Sequence, residues 1–199
     1  MKFMQQGNTL IISLIILLVL TVVGISSIGN VTLSQKMATN YRDADVVFQA
    51  AEAALAEGER KAEELSASLQ ESYFAAGCAS EDCFTALCNN GKCFNGTFEA
   101  ADPCWLSEPA TELARDEATW TTVGSALDSQ LSFTGLTQKP QIIIEFLCYV
   151  QVDPTVTLAV PTPPYAAIDW NYFYRITSYA RGVNGSSRAM LQSTYKVAQ

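Results

Sequence analysis

From Asn8 to Ile28 the chain reads NTLIISLIILLVLTVVGISSI, a run without a charged side chain in which only Asn8, Thr9, Ser13, Thr21, Ser26 and Ser27 are polar. A helix needs about 20 mostly apolar residues to cross a bilayer core, and Ser and Thr are tolerated there because their hydroxyls bond back to the preceding turn. The pattern predicts a membrane-spanning helix or one that uses the same physics. Past Ile28 the apolar or small positions thin to a stripe: Leu33, Met37, Tyr41, Ala44, Phe48, Ala51, Leu55, Gly58, Ala62, Leu65 and Leu69. Steps of three and four place them on one helical face. Arg42, Asp43, Asp45, Glu57, Arg60, Lys61 and Glu64 fall on the other, with Glu57 and Lys61 in the favourable i, i+4 order. With no Pro before Pro103, one helix is expected from Asn8 to Gln70, roughly 90 Å long. The stripe fits either a coiled-coil seam between two chains or a face packed on the chain's own globular part. Its Ala and Gly positions favour the second, since they let a sheet approach closely. Glu52 beside the stripe reads as a solvated or interface charge.

The period changes to two in the last third. In Gln141 to Gln151, QIIIEFLCYVQ, Ile142, Ile144, Phe146, Cys148 and Val150 alternate with Glu145, Tyr149 and Gln151, as in a half-buried strand. Four prolines make 152–169 a loop. Two segments rich in Tyr, Thr, Ile and Val, 170–182 and 187–197, flank Asn184-Gly185, a hairpin signal. In the second of them Ala189, Leu191, Tyr195 and Val197 alternate with Arg188, Gln192 and Lys196. The expected fold is α+β: a long N-terminal helix whose second half packs on an antiparallel sheet of about four strands, with a Cys-rich insert between them.

Charge and composition narrow the function. The 199 residues carry 12 basic and 20 acidic side chains, a formal net charge of −8, and no His. Nucleic-acid binding relies on clustered Lys and Arg, so no nucleic-acid partner is expected. The commonest general base and zinc ligand is absent, and an enzyme is not expected. The cysteines are Cys78, Cys83, Cys88, Cys93, Cys104 and Cys148, the first four recurring every five residues. Zinc sites prefer pairs two to four apart. An even count beyond a membrane anchor reads instead as disulfides formed in an oxidising compartment. Spacing leaves the connectivity open. Cys88 and Cys93 flank the turn-like Asn89-Asn90-Gly91-Lys92 and would staple a small loop, and Cys104 with Cys148 would tie the insert to the sheet. Glu81, Asp82, Glu99 and Asp102 lack the spacing of a calcium loop. No metal or cofactor is expected.

Only MKFMQQG precedes the apolar run. A secretory signal would have a shorter apolar region and a small-residue cleavage site. A short leader ending in Gly7 resembles that of a type IV prepilin; an uncleaved signal anchor is the alternative. The segments QQGNTLIISLIILLVLTVVGISSI, TLSQKMATNYRD and FQAAEAAL resemble the N-terminal region of PilX-type minor pilins, and YRITSYARG and MLQSTY resemble the end of that family. The resemblance implies a type IV pilin-like fold and a low-abundance subunit promoting pilus assembly. It implies cleavage between Gly7 and Asn8 by a prepilin peptidase, methylation of Asn8, and a place in the inner membrane, head in the periplasm, before export into the extracellular pilus. Other minor pilins and the major pilin are the implied partners, and twitching motility and surface attachment the implied contributions. A pseudopilin of type II secretion and an adhesive pilus-tip module are the alternatives.

The corresponding division of the chain is a leader over 1–7, a hydrophobic helix over 8–35, an amphipathic helical half over 36–70 and a globular head over 71–199. One departure from the general pilin pattern stands out. Major pilins carry a glutamate at the fifth residue of the mature chain, where this chain has Ile12.

Overall fold

The computed structural model describes residues 8–75, 77–94, 117–122, 124–153, 155, 170–183, 185 and 187–197. The expected turn residue Asn184, most of the proline-rich loop and Cys104 lie outside the described residues. The chain divides into two compact units, residues 1–43 and 44–199. A single helix, α1 (Asn8–Ala67), contributes to both, and a 3-10 turn, Glu71–Phe74, follows it. The rest of the second unit comprises strand β1 (Lys92–Cys93), the short helix α2 (Glu117–Thr121), and strands β2 (Leu127–Asp128), β3 (Gln141–Gln151), β4 (Trp170–Arg181) and β5 (Arg188–Val197).

The strands form one sheet in the order β1-β3-β4-β5, with β2 also paired to β3. β3, β4 and β5 are antiparallel neighbours, whereas β1 runs parallel to β3. The β4–β5 hairpin closes through Gly182 N–H donating to Ser187 O (2.9 Å), and Gly185 has φ +65°, the backbone state glycine supplies. β5 keeps the expected alternation, its even-numbered positions exposed and its odd-numbered positions partly or fully buried.

β3 departs from the expected alternation. Phe146 pairs with Tyr174 but Cys148 with Phe173, so Leu147 is an extra residue in the ladder. A bulge of this kind reverses the parity of the residues beyond it. Cys148 and Val150 therefore share a face with Phe173 and Asn171, away from Phe146, rather than continuing the Ile142–Ile144–Phe146 row. The face expected to meet solvent is also covered: Ile143 and Glu145 are 4% and 5% exposed.

Each face of the sheet has its own cover. On one, Ile142, Ile144, Phe146, Tyr172, Tyr174 and Ile176 pack with Ala54 and Ala62 of α1. Further along the helix, Val47, Ala50 and Ala51 pack with Ala180, beside Ala189 and Leu191. Small helical side chains make this approach possible. A Cβ on Gly58 would lie 2.6 Å from Ile176 Cγ2 and 2.9 Å from Ile142 Cγ2. On the other face Ile143 and Tyr179 are capped by Cys88, Cys93, Trp120 and Ala126, with the Trp120 and Tyr179 rings stacked at 5.1 Å. From Val47 onward the helix thus packs on the chain's own sheet, whereas Leu33, Met37 and Tyr41 of the stripe are exposed.

The buried face of α1 is rotated relative to the predicted stripe. Val47, Ala50, Ala54, Glu57 and Ser66 are buried although none belongs to it, whereas Phe48, which does, is 44% exposed. Glu57, expected on the solvent face, is only 7% exposed.

Candidate assembly surface and head

The N-terminal unit is built of large apolar side chains with little packed against them. Leu10 is 71% exposed, Leu17 66% and Ile25 72%, and Ile12 is 55% exposed. The hydroxyls in the run are satisfied locally as expected: Ser13 Oγ donates to Leu10 O at 2.9 Å and Thr21 Oγ1 to Leu18 O at 2.7 Å. Asn8 opens α1, and Gly7 lies outside the described residues. Side chains are described without a break from residue 9 to residue 25, a little short of the about 20 that a span requires. Among the described residues no helix is long and apolar enough to cross a membrane.

In the head, buried charge ties elements together. Glu57 accepts from Ser129 Oγ and from Gln130 N–H (3.1 Å to Oε1), while Lys61 Nζ lies 3.8 Å from Oε1. Ser129 Oγ also accepts from Leu131 N–H at 3.1 Å. One helical carboxylate therefore anchors the segment leading from β2 toward β3, and a buried carboxylate needs such partners. Across β3 and β4, Arg175 Nη1 donates to Glu145 Oε2 at 3.2 Å. Arg181 binds Glu117 of α2, with Arg188 3.7 Å from the same carboxylate. Ser66 Oγ is 2.7 Å from Ala62 O and 2.9 Å from Tyr174 Oη. Burial drives the Tyr174 phenol well above its ordinary range, and the bond to Ser66 offsets this in part.

The Cys-rich segment folds into two consecutive staples. Cys78 bonds Cys83 and Cys88 bonds Cys93, with Cα–Cα distances of 5.8 and 4.2 Å. Cys148 is also disulfide-bonded. The second staple is the loop expected from sequence. It closes on β1, where Ile144 N–H donates to Gly91 O at 2.6 Å. Gly91 has φ +73°, and a Cβ there would stand 2.5 Å from Ile142 O, so no other residue fits. Asn90, at φ 47°, holds Gly124 O through its N–H at 2.7 Å. The staple thereby joins the insert to β3 and to the residues before β2.

Sequence reasoning placed Glu57 and Glu145 on solvent-facing sides and did not single out Ser129 or Trp120. Glu57 and Ser129 lie 72 positions apart, and their pairing leaves no local signal. Trp120 stands on a helix of five residues, below the length at which periodicity can be read.

Family models match both ends of the chain: the PilX N-terminal region over residues 6–56, and the C-terminal region of the type IV pilus assembly protein PilX over residues 79–197. No curated protein matches the chain. No solved structure matches it either. The two family matches take in the apolar run, the second staple and the five described strands, and the chain belongs to the PilX family of type IV pilus assembly proteins.

Proposed function

We propose that this chain is a minor subunit of a type IV pilus, held in the inner membrane by the first half of α1 before assembly and then packed through that half into the filament. The observation that carries the reading is the contrast within one helix. From Val47 onward α1 buries small residues against its own sheet, whereas Leu10 to Ile25 remain largely exposed and have no use within the unit that contains them. Large contiguous apolar surface of this kind needs lipid or protein around it. Processing between Gly7 and Asn8, with methylation of Asn8, produces the assembling form. The head lies in the periplasm, all six cysteines are oxidised, and Cys104 is the partner of Cys148. No residue performs chemistry.

Ile12 supports a place at or near the tip, in an initiating complex with other minor pilins. The ammonium of a processed N-terminus buried in a filament needs an anionic partner, since an unpaired buried charge costs several kcal/mol. A chain with Ile12 has no carboxylate at that position to offer a neighbour's amine. It suits the first place in a filament, where no earlier amine awaits a partner. Immunogold labelling of sheared pili tests this: label at one end is expected, and label scattered evenly along the shaft would refute it. Deletion should abolish pili, twitching and surface attachment. Loss of protein secretion with pili intact would favour the pseudopilin reading instead.

A further inference from the structure

The two edges of the sheet are finished differently. Along β3 the edge is occupied by β1 and β2, which pair with residues 144–145 and 141–142. β5 forms the other edge. It pairs with β4 without a register shift from Tyr172↔Val197 to Arg181↔Arg188, and among the described residues no strand lies on its far side. On an outermost strand, alternate residues direct their N–H and C=O groups away from the sheet. Natural edges are commonly blunted by Pro, a bulge, shortness, charged side chains (Lys above all) along the strand or an inward-pointing charge. β5 is ten residues long, contains no Pro and is regular; its charges, Arg188 and Lys196, stand near its ends on the exposed side.

The surroundings of this edge have a definite charge pattern. On the α1 side a groove runs between helix and strand, lined by Glu52, Leu55, Ala56, Glu59, Leu191 and Gln192. Its floor is apolar and its helical charges are acidic. On the opposite side β5 carries two basic residues: Arg188, which stands 3.7 Å from the Glu117 carboxylate, and Lys196, for which the described residues supply no ion pair. We infer that β5 accepts an extended segment of a different protein as an added strand. That segment alternates, with apolar and basic side chains toward α1 and polar and acidic ones on the side of Arg188 and Lys196. Backbone pairing supplies the affinity and the alternating side chains the selectivity. A second copy of β5 is the wrong occupant. Antiparallel pairing centred on Gln192 places Arg188 opposite Lys196 twice, and in-register parallel pairing sets each charge beside its own copy. Like charges directly opposite are destabilising. Nor does β5 carry a basic residue among Ala189, Leu191, Ser193, Tyr195 and Val197 to meet Glu52 or Glu59.

The test uses the full-length chain in detergent and two synthetic peptides of about ten residues, a length matched to the strand. One alternates Val and Lys on one face with Thr and Glu on the other; the second has Lys and Glu exchanged between the faces. Fluorescence anisotropy gives affinity, and amide hydrogen exchange resolved by residue locates the contact. The first peptide should bind more tightly by roughly tenfold and slow exchange at the outward amides of β5. Lys196→Glu, on an exposed side chain, should narrow the preference without altering exchange in β3 and β4. Absence of β5 protection at saturating peptide, equal binding of the two peptides, or β5 protection that rises with protein concentration when no peptide is present would each overturn the proposal.

Discussion

The two halves of α1 carry opposite relations between hydrophobicity and packing. The first is composed mainly of Leu, Ile and Val, yet these side chains are more than half exposed. The second is rich in Ala, acids and bases, yet Ala50, Ala51, Ala54 and Ala62 are completely buried. The difference lies in what each can approach. Small side chains bring the helix backbone against a sheet whose own Ile, Phe and Tyr residues fill the space. Bulky aliphatic residues all round a helix present no single face to one partner and instead suit a surrounding that is apolar on every side, whether lipid or neighbouring helices. How apolar a segment is does not decide where it packs; the size and placement of its side chains do.

Two glycines test this contrast most severely. Gly58→Leu places its Cβ where Ile176 and Ile142 already stand, and overpacking at a filled core site should cost about 3 kcal/mol. Gly24→Leu meets nothing within 4 Å and should leave the urea stability of the head within about 0.5 kcal/mol of the parent. Similar losses in both would show that the halves do not differ as described.

Next in size is Glu57. Glu57→Ala strands Ser129 Oγ, the Gln130 N–H and Lys61, and should destabilise the head by about 2 kcal/mol. Glu52→Ala, one turn earlier and exposed, should change stability by less than about 0.5 kcal/mol. The pair is measured in the same urea titrations.

The staples differ in the same way. Cys88 and Cys93 are 7% and 0% exposed within the Trp120–Tyr179 cluster, whereas in the other staple Cys83 is fully buried but Cys78 only half-buried. Replacing both Cys88 and Cys93 by Ser should cost about 2 kcal/mol or more, and the same change at Cys78 and Cys83 should cost less.

The smallest effect is alkaline. Tyr174 keeps its proton in the folded head to higher pH than in the unfolded chain. Its contribution is therefore fully present below about pH 10 and declines as pH rises above that value, where only the unfolded chain releases the proton. Tyr174→Phe should flatten the fall in stability between about pH 10 and 11. An unchanged slope would show that another group carries it.

Long regular elements were legible in the sequence because their periods repeat often enough to be read. β3 is found at its expected limits, the two strands of the C-terminal hairpin within a residue of theirs, and α1 ends three residues before Gln70. What escaped is short or long-range. β1 and β2 are two residues each, too brief to alternate. The bulge at Leu147 leaves QIIIEFLCYVQ looking like an unbroken alternation, and only the pairing with β4 reveals the extra residue. The rotation of the buried helical face was hidden by Ala, which is equally at home in a core and on a surface. Glu57 looked solvated because Ser129 and Gln130, which receive it, come from a distant segment. The pilus-assembly identity was written in the apolar run and the motifs around it, whereas the surfaces of the head are set by those long-range contacts.

The central claim is that the exposed first half of α1 is the part that assembles, in processed form, into a pilus. Intact-mass and N-terminal fragment analysis of this protein from sheared, washed filaments tests it most directly. A chain beginning at methylated Asn8 and present in the filament fraction is the predicted result. A chain beginning at Met1 and confined to the cell envelope, in cells that process their other pilins, would contradict it.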